Sequence, residues 1–297
     1  MTFKSFGNND YDVLVIGEYL WDYHEETKTA AGAPFNFSYH LKNLDLEPFF
    51  VSAVGADDNG SQLRQIADAL GINSEIIVNG IKTGLATVYH HPSGKNEFQL
   101  LTPAAWDAIS MNEVIQDAAD HASSIYFGTL AQRKPESRQT IRELVAQFHD
   151  RPRILDINLR APYDDDELIR WSLAHCDILK VSSDEVPRLS QIVLGMRVDN
   201  TRLLAEACFR RFGLQTFVET LGRFGARAWN KFGDFTSFRP QLKPAPSTVG
   251  AGDAFTAALI RAMITDIPLV GAIEYAVQYA SDFVNGELIY YQNDDID

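Results

Sequence analysis

Three features of this 297-residue chain predict a doubly wound α/β fold, a mostly parallel sheet flanked by helices, with a small β lid. Short, β-rich and almost wholly apolar runs recur along the length, such as DVLVIG at 12–17 and PFFVSAVG at 48–55. Helix-period segments lie between most of them. One region breaks that alternation with shorter strand-like pieces. A strand that is apolar on both faces needs cover on both, which a parallel sheet between two helical layers supplies.

In chain order, the run at 12–17 is the first strand, and the irregular, strand-like segment EYLWDYHEETKTAAG follows at 18–32. Residues 48–55 form the next strand, and NGSQLRQIADALG at 59–71 reads as a helix. The stretch TGLATVYHHPSGKNEFQLL at 83–101 reads as two strand pieces about a turn at Pro92-Ser93-Gly94-Lys95. Segments 18–32 and 83–101 together make a small sheet beside the main one. Periodicity alone fits a lid over a cleft and an edge hairpin equally. Residues 123–128 are a strand, and in the helix at 137–149 Ile141, Leu144, Val145 and Phe148 share one face at i, i+3, i+4, i+7. Strands are expected at 153–159, 177–182 and 216–222. A last helix begins near Gly252, with Phe255, Leu259 and Met263 at helical spacing. No linker or repeat interrupts the pattern, so residues 1–297 read as one domain.

Composition narrows the function. A formal net charge of -14 argues against a general nucleic-acid binder, because phosphate backbones attract basic surfaces. It does not exclude an anionic ligand, since a local pocket of backbone N–H groups holds phosphate against an unfavourable global field. The two cysteines, Cys176 and Cys208, lack a CxxC pattern and read as free thiols of a reducing compartment. No signal-peptide core opens the chain, and no run approaches the ~18 apolar residues of a membrane span. A cytoplasmic protein with no membrane partner is expected. The acidic runs at 164–166 and 294–297 read as solvated surface. Ser93-Gly94-Lys95-Asn96 lacks the leading glycine and trailing hydroxyl of a P-loop. His90 and His91 point to opposite faces of a strand and make poor joint metal ligands.

The stretch STVGAGDAFTAAL at 247–259 carries the chemistry. Gly250, Ala251 and Gly252 run into Asp253 where the last helix starts. The first N–H groups of a helix have no internal acceptor, and the macrodipole adds positive charge there. Small residues leave the approach to those groups open, which suits a phosphoryl group in transfer. Asp253 beside them fits a general base for an attacking hydroxyl. Taken alone, it fits better still as a first-turn aspartate that satisfies the dipole.

TVGAGDAF resembles the second signature, D-T-x-G-A-G-D, of the ribokinase-like (phosphofructokinase-B) family of carbohydrate kinases. GEYLWD, AGAPFN, VGADDNG, TGLATV, DINLR, LKVSSDE and TLGRFGA resemble further family motifs in the family's order, across almost the whole chain. The resemblance implies transfer of the γ-phosphate of ATP to a sugar hydroxyl. It implies that Asp253 is the base and that Gly250, Ala251 and Gly252 form the anion hole. Asp22, Gly32 and Asn36 match residues that hold sugar hydroxyls, and Arg160 matches a position near acceptor and phosphate; a surface salt bridge fits Arg160 equally. Thr220 and Gly222 match the nucleotide loop. Ser182 and Glu185 match the family's N-x-x-E motif, which organises Mg2+ through water and phosphate rather than by direct ligation. Lys180, just before it, faces either the nucleotide cleft or a neighbouring carboxylate.

Departures from the family pattern refine the expectation. Ala33 and Pro34 stand where ribokinases carry a lysine, and AGAPFN with K-x-S-x-x-E looks more like the fructokinase branch. Ser247 replaces the aspartate that helps bind a monovalent cation in potassium-activated members, so potassium dependence stays open. The expected partners are a ketose-like sugar and ATP, with a homodimer through the lid compatible with its apolar residues Leu20, Val88 and Phe98. A kinase of an acid sugar or nucleoside, or a non-catalytic sensor on the same scaffold, are the alternatives.

Overall fold

The computed structural model describes residues 9–24, 27–90, 96–240 and 249–288. In chain order its elements are β1 (Val13–Ile16), β2 (Leu20–His24), β3 (Thr27–Ala31), α1 (Ala33–Asn43), β4 (Pro48–Gly55), α2 (Asp58–Ala69), β5 (Asn73–Asn79), β6 (Gly84–His90) and β7 (Asn96–Leu100). They continue with α3 (Glu113–Asp120), β8 (Ile125–Gly128), α4 (Pro135–Gln147), β9 (Arg153–Asp156), α5 (Asp166–Ala174), β10 (Ile178–Ser182), α6 (Val186–Leu194) and α7 (Thr201–Phe212). The last are β11 (Thr216–Thr220), β12 (Ala226–Asn230), β13 (Phe235–Phe238), α8 (Ala251–Ile264) and α9 (Leu269–Val284).

Among the described residues a nine-stranded sheet runs β13-β12-β11-β10-β9-β8-β1-β4-β5. The pairs β11–β12 and β12–β13 are antiparallel and the rest are parallel. From β1 the chain winds outward through β4 to β5, then returns to β8 and winds the other way to β11. The strand order therefore reverses between β1 and β8, and in such sheets a ligand crevice opens at the strands' carboxyl ends there.

Alternation along each buried strand divides the core into two layers. Leu14 and Ile16 join a cluster with Ile115 of α3, Leu144 of α4 and Leu189 of α6. Val13 and Val15 join the other, with Phe35 of α1, Leu63 of α2 and Leu259 of α8. The helix face read from sequence, Ile141, Leu144, Val145 and Phe148, is fully buried. The edge strands β5 and β13, and β12 beside β13, lack the apolar runs of the centre and were not expected; β5 is half-exposed along most of its length.

Segments 18–32 and 83–101 do join, as a four-stranded sheet β3-β2-β6-β7 in which β2 pairs β6 in parallel and the other pairs are antiparallel. Gly32 lies outside it and caps α1. The turn at 92–95 and the side chains of Val88, His90 and Phe98 lie outside the described residues, as do His91, Ser247 and residues 294–297. Leu20 is buried.

Two local expectations are corrected. The strand expected at 153–159 ends at Asp156, because Asn158 turns into the left-handed region at φ 39° and leads the chain off the sheet. The acidic run at 164–166 is not merely solvated: Asp165 caps α5 by accepting from Leu168 N–H, and Arg188 pairs with Asp164 at 3.1 Å and Asp166 at 2.7 Å. Cys176 and Cys208 are both free and buried.

Candidate active site

The crevice at the strand reversal collects polar side chains from an otherwise apolar sheet. Glu18 follows β1, Thr129 follows β8, Asp156 ends β9, and β10 carries Lys180 and Ser182. A small cleft is lined by Glu18, Ala33, Pro34, Tyr126, Gly128, Thr129, Leu130, Asp156 and Asn158. Gly32, just before Ala33 in the chain, has φ 124°, and a Cβ there would lie 2.3 Å from the Glu18 carbonyl oxygen, so no larger residue fits.

The N-terminus of α8 closes over these groups. Gly250 caps the helix in the left-handed region at φ 80°, a cost that glycine does not bear. The Asp253 and Ala254 N–H groups turn back on the Gly250 carbonyl at 3.1 and 2.9 Å, while Ala251 and Gly252 face a cavity. Asp253 follows in the first turn, and Asn36 of α1 donates from Nδ2 to its Oδ2 at 2.8 Å. Two elements 217 residues apart in sequence thus fix one carboxylate.

Lys180 Nζ donates to both oxygens of Asp156, at 3.1 and 3.0 Å, and both side chains are buried. Glu185 is fully engaged in holding the loop: one oxygen accepts from Leu159 N–H at 2.6 Å, the other from Ser182 N–H and Oγ at 2.7 and 2.8 Å. Arg160 is exposed, donates to the Leu159 carbonyl, and forms no ion pair among the described residues. Asp22 stands on β2 of the small sheet, opposite Thr29 and Ala86, with its side chain half-buried.

The cavity beside the α8 turn measures about 600 Å³. Ser182, Thr220, Gly222, Ala251 and Gly252 line it together; Glu185 stands behind Ser182. Phe255, Val277, Ala280 and Val284 form an apolar wall, and the bare turn at 251–252 forms the polar end. An aromatic base against the first and an anionic tail against the second would fit this division. Among the described residues no group of three or more His, Cys, Asp or Glu is placed to hold a metal. A cation here would be met by its ligand's own oxygens and by water near Glu185.

Electrostatics marks the same residues. Burial pushes Asp253 up to about 7, and Asp156 adds to the rise, while Asn36, Lys180 and Arg160 oppose it. Burial likewise raises Glu18 to about 7, with its own N–H, Arg160 and the Ala33 N–H pulling the other way and Asp253 adding to the rise. Buried carboxyls displaced in this way inside a cleft are candidates for proton transfer. Sequence reasoning brought Asp253, the 250–252 turn, Asn36, Ser182, Thr220 and Gly222 to this place. It missed Glu18 and Asp156, although both stand at carboxyl ends of central strands, the position that should have singled them out.

Comparison with known proteins gives a consistent picture. The model of the pfkB family carbohydrate kinases matches residues 11–287. Fructokinase-1 of Zea mays is 26% identical over 275 residues, covering 88% of this chain and 83% of that protein. The 5-dehydro-2-deoxygluconokinase of Geobacillus kaustophilus is 25% identical over 272 residues, covering 86% and 78%. A solved structure from E. coli in complex with ATP and Mg2+ superposes with a TM-score of 0.79 at 19% identity, covering 93% of each chain.

Proposed function

The chain belongs to the pfkB family of carbohydrate kinases, and from that premise we propose that it transfers the γ-phosphate of Mg-ATP to a hydroxyl of a neutral, ketose-like sugar, fructose being the first candidate. The observation that carries this reading is Asp253 in the first turn of α8, held by Asn36 at 2.8 Å and next in the chain to Ala251 and Gly252, which line the nucleotide-sized cavity.

Asp253 takes the proton from the attacking hydroxyl. At about 7 its carboxyl is poised to exchange a proton at neutral pH, where general bases are most effective. Asn36 sets the carboxylate's orientation before the sugar arrives. The open turn Gly250-Ala251-Gly252 receives the charge that spreads over the transferring group. Ser182, Thr220 and Gly222 hold the nucleotide side, with Glu185 fixing the Ser182 loop. Mg2+, when bound, offsets phosphate charge. Asp22, Gly32, Asn36 and Arg160 hold the sugar. The small sheet acts as a lid that keeps water from competing as acceptor, and its outer surface is where two copies of the chain would dimerise. A soluble, cytoplasmic setting accords with this chemistry.

Two comparisons support a sugar as the acceptor, and the site's charge supports a neutral one. Glu18, Asp156 and Asp253 converge on the crevice, while Lys180 is already bound to Asp156. A substrate carboxylate would meet Arg160 alone. An acid sugar is the second reading, favoured by that exposed Arg160, which forms no ion pair among the described residues, and by the similarity to a 5-dehydro-2-deoxygluconokinase.

A panel of neutral and acid sugars and nucleosides, assayed for ADP release with Mg2+ and with or without K+, separates these. Neutral ketoses are expected to lead; an acid sugar turned over faster would replace the first reading with the second. Asp253→Asn is expected to bind ATP normally and lose roughly 100- to 10,000-fold in kcat, the usual worth of a general base. Near-normal turnover in that variant sinks the mechanism.

A further inference from the structure

Lys180 sits at the centre of the site with none of the roles assigned above. Its Nζ lies 3.0 and 3.1 Å from the Asp156 oxygens, and its side chain is about one-tenth exposed. A Cβ added at Gly252 would stand 3.3 Å from that Nζ. The ammonium therefore lies directly against the first turn of α8, one residue before Asp253. Gly252 is bare toward the cavity and bare toward this ammonium.

Keeping that charge buried is costly. A desolvated ion pair rarely stabilises a fold as much as apolar residues of the same volume would. Yet the pair has been placed where the charges of the site meet. Asp253 faces Asp156 at the end of β9, Asn36 of α1, Lys180 of β10, Arg160 beyond β9, Glu18 after β1 and Tyr126 of β8. Lys180 faces Asp156, Glu185 and Asp253. Acids outnumber cations here, and of the two cations only Lys180 is buried, so water and salt screen it least.

We infer that Lys180, seated on Asp156, is a positioning residue whose ammonium forms a cationic floor under the first turn of α8 and favours the ionised form of Asp253. The inference rests on the kinase reading for Asp253 being the base; the charge arrangement itself does not. Burial works against the Lys180 ammonium, but Asp156 first, then Glu185 and Asp253, outweigh it and raise its affinity for the proton. The floor therefore stays charged wherever the enzyme works.

Opposite-signed changes test this. The pH profile of kcat/KM has an acid limb set by the base. Lys180→Met should move that limb up by about one pH unit or more, and Asp156→Asn should move it down, since a nearby cation favours the ionised carboxyl and a nearby anion disfavours it. A brace with no electrostatic role would cost activity in both variants and leave both limbs where the parent's lies; that result overturns the inference. If Lys180→Met does not fold, the unaltered protein still decides. With 15Nζ-labelled lysine, the Lys180 ammonium should show a titration step near neutral pH that vanishes in Asp253→Asn. A step unchanged in that variant, or no step at all, also overturns it. Failure of the kinase reading looks different: no acceptor would yield ADP with the parent protein, while the ammonium step, which needs no substrate, would persist.

Discussion

At the level of single residues, Glu18 and Asp253 carry a thermodynamic signature that can be measured without any substrate. Both are raised to about 7, burial being the first cause of each. The folded protein therefore holds these protons more tightly than the unfolded chain. Between about pH 4.5 and 7 it carries the larger share of them, so stability falls as pH rises through that window and is lowest above it. Glu18 is 3% exposed, and a shift of this size corresponds to about 3 kcal/mol lost at pH 8. Glu18→Gln should remove that loss: its melting temperature should exceed the parent's at pH 8 and approach it at pH 5. An equal gain at both pH values would mean that charge burial at Glu18 is not the cause. The same site that is suited to move a proton is thus a place where the fold gives up stability, as buried acids near a reaction centre commonly do.

Between elements, Asp57 is one tie between the small sheet and the main one. Asp57 caps α2 by accepting from Gly60 N–H at 2.8 Å, and it also accepts from the N–H and hydroxyl of Thr83, just before β6. The Thr83 hydroxyl in turn accepts from Gly55 N–H at the end of β4. Burial opposes the charge on Asp57, but the bonds from Thr83 and Gly60 outweigh it and hold the carboxyl below its ordinary range. Asp57→Ala removes a helix cap and unties β6 together. We expect a loss of about 1–3 kcal/mol in urea unfolding, where a cap alone is worth ~0.5–2, and a raised KM for sugar with a smaller change in KM for ATP. A variant as stable as the parent, with both KM values unchanged, would deny Asp57 this role. The elements themselves were legible to different degrees. Central strands announced themselves because both faces are buried, and the two lid segments because they broke the rhythm. The edge strands β5 and β13 did not, since pairing on one side only leaves no apolar run to read, and β12 beside β13 alternates buried Ala226 and Ala228 with half-buried Arg227. Asp253 and the 250–252 turn were legible as a motif. Glu18 and Asp156 were legible only by their place at the ends of central strands, and Lys180 only as facing the cleft or a carboxylate; that the three meet lies in the packing of β1, β9 and β10, which spacing along the chain does not encode.

Over the whole molecule, the formal charge of -14 opposes the approach of an anionic nucleotide, while the bare turn of α8 and Arg223 at the cavity wall attract it at short range. The two act over different distances, and salt separates them. The Debye length shrinks from ~30 Å at 0.01 M to ~8 Å at 0.15 M salt, which removes the long-range repulsion and leaves contacts of a few ångströms nearly intact. Raising ionic strength over that range should therefore lower KM for Mg-ATP, by about twofold or more, while KM for a neutral sugar stays flat. The titrant should be tetramethylammonium chloride, because Ser247 leaves a response to potassium open and a specific ion effect must not be mistaken for screening. A KM for Mg-ATP that climbs with salt would show that exposed arginines such as Arg223 and Arg160, and not the overall charge, govern the nucleotide's approach. An acid sugar assayed in the same way should follow Mg-ATP and not the neutral sugar, because it is itself an anion that the net charge of -14 repels.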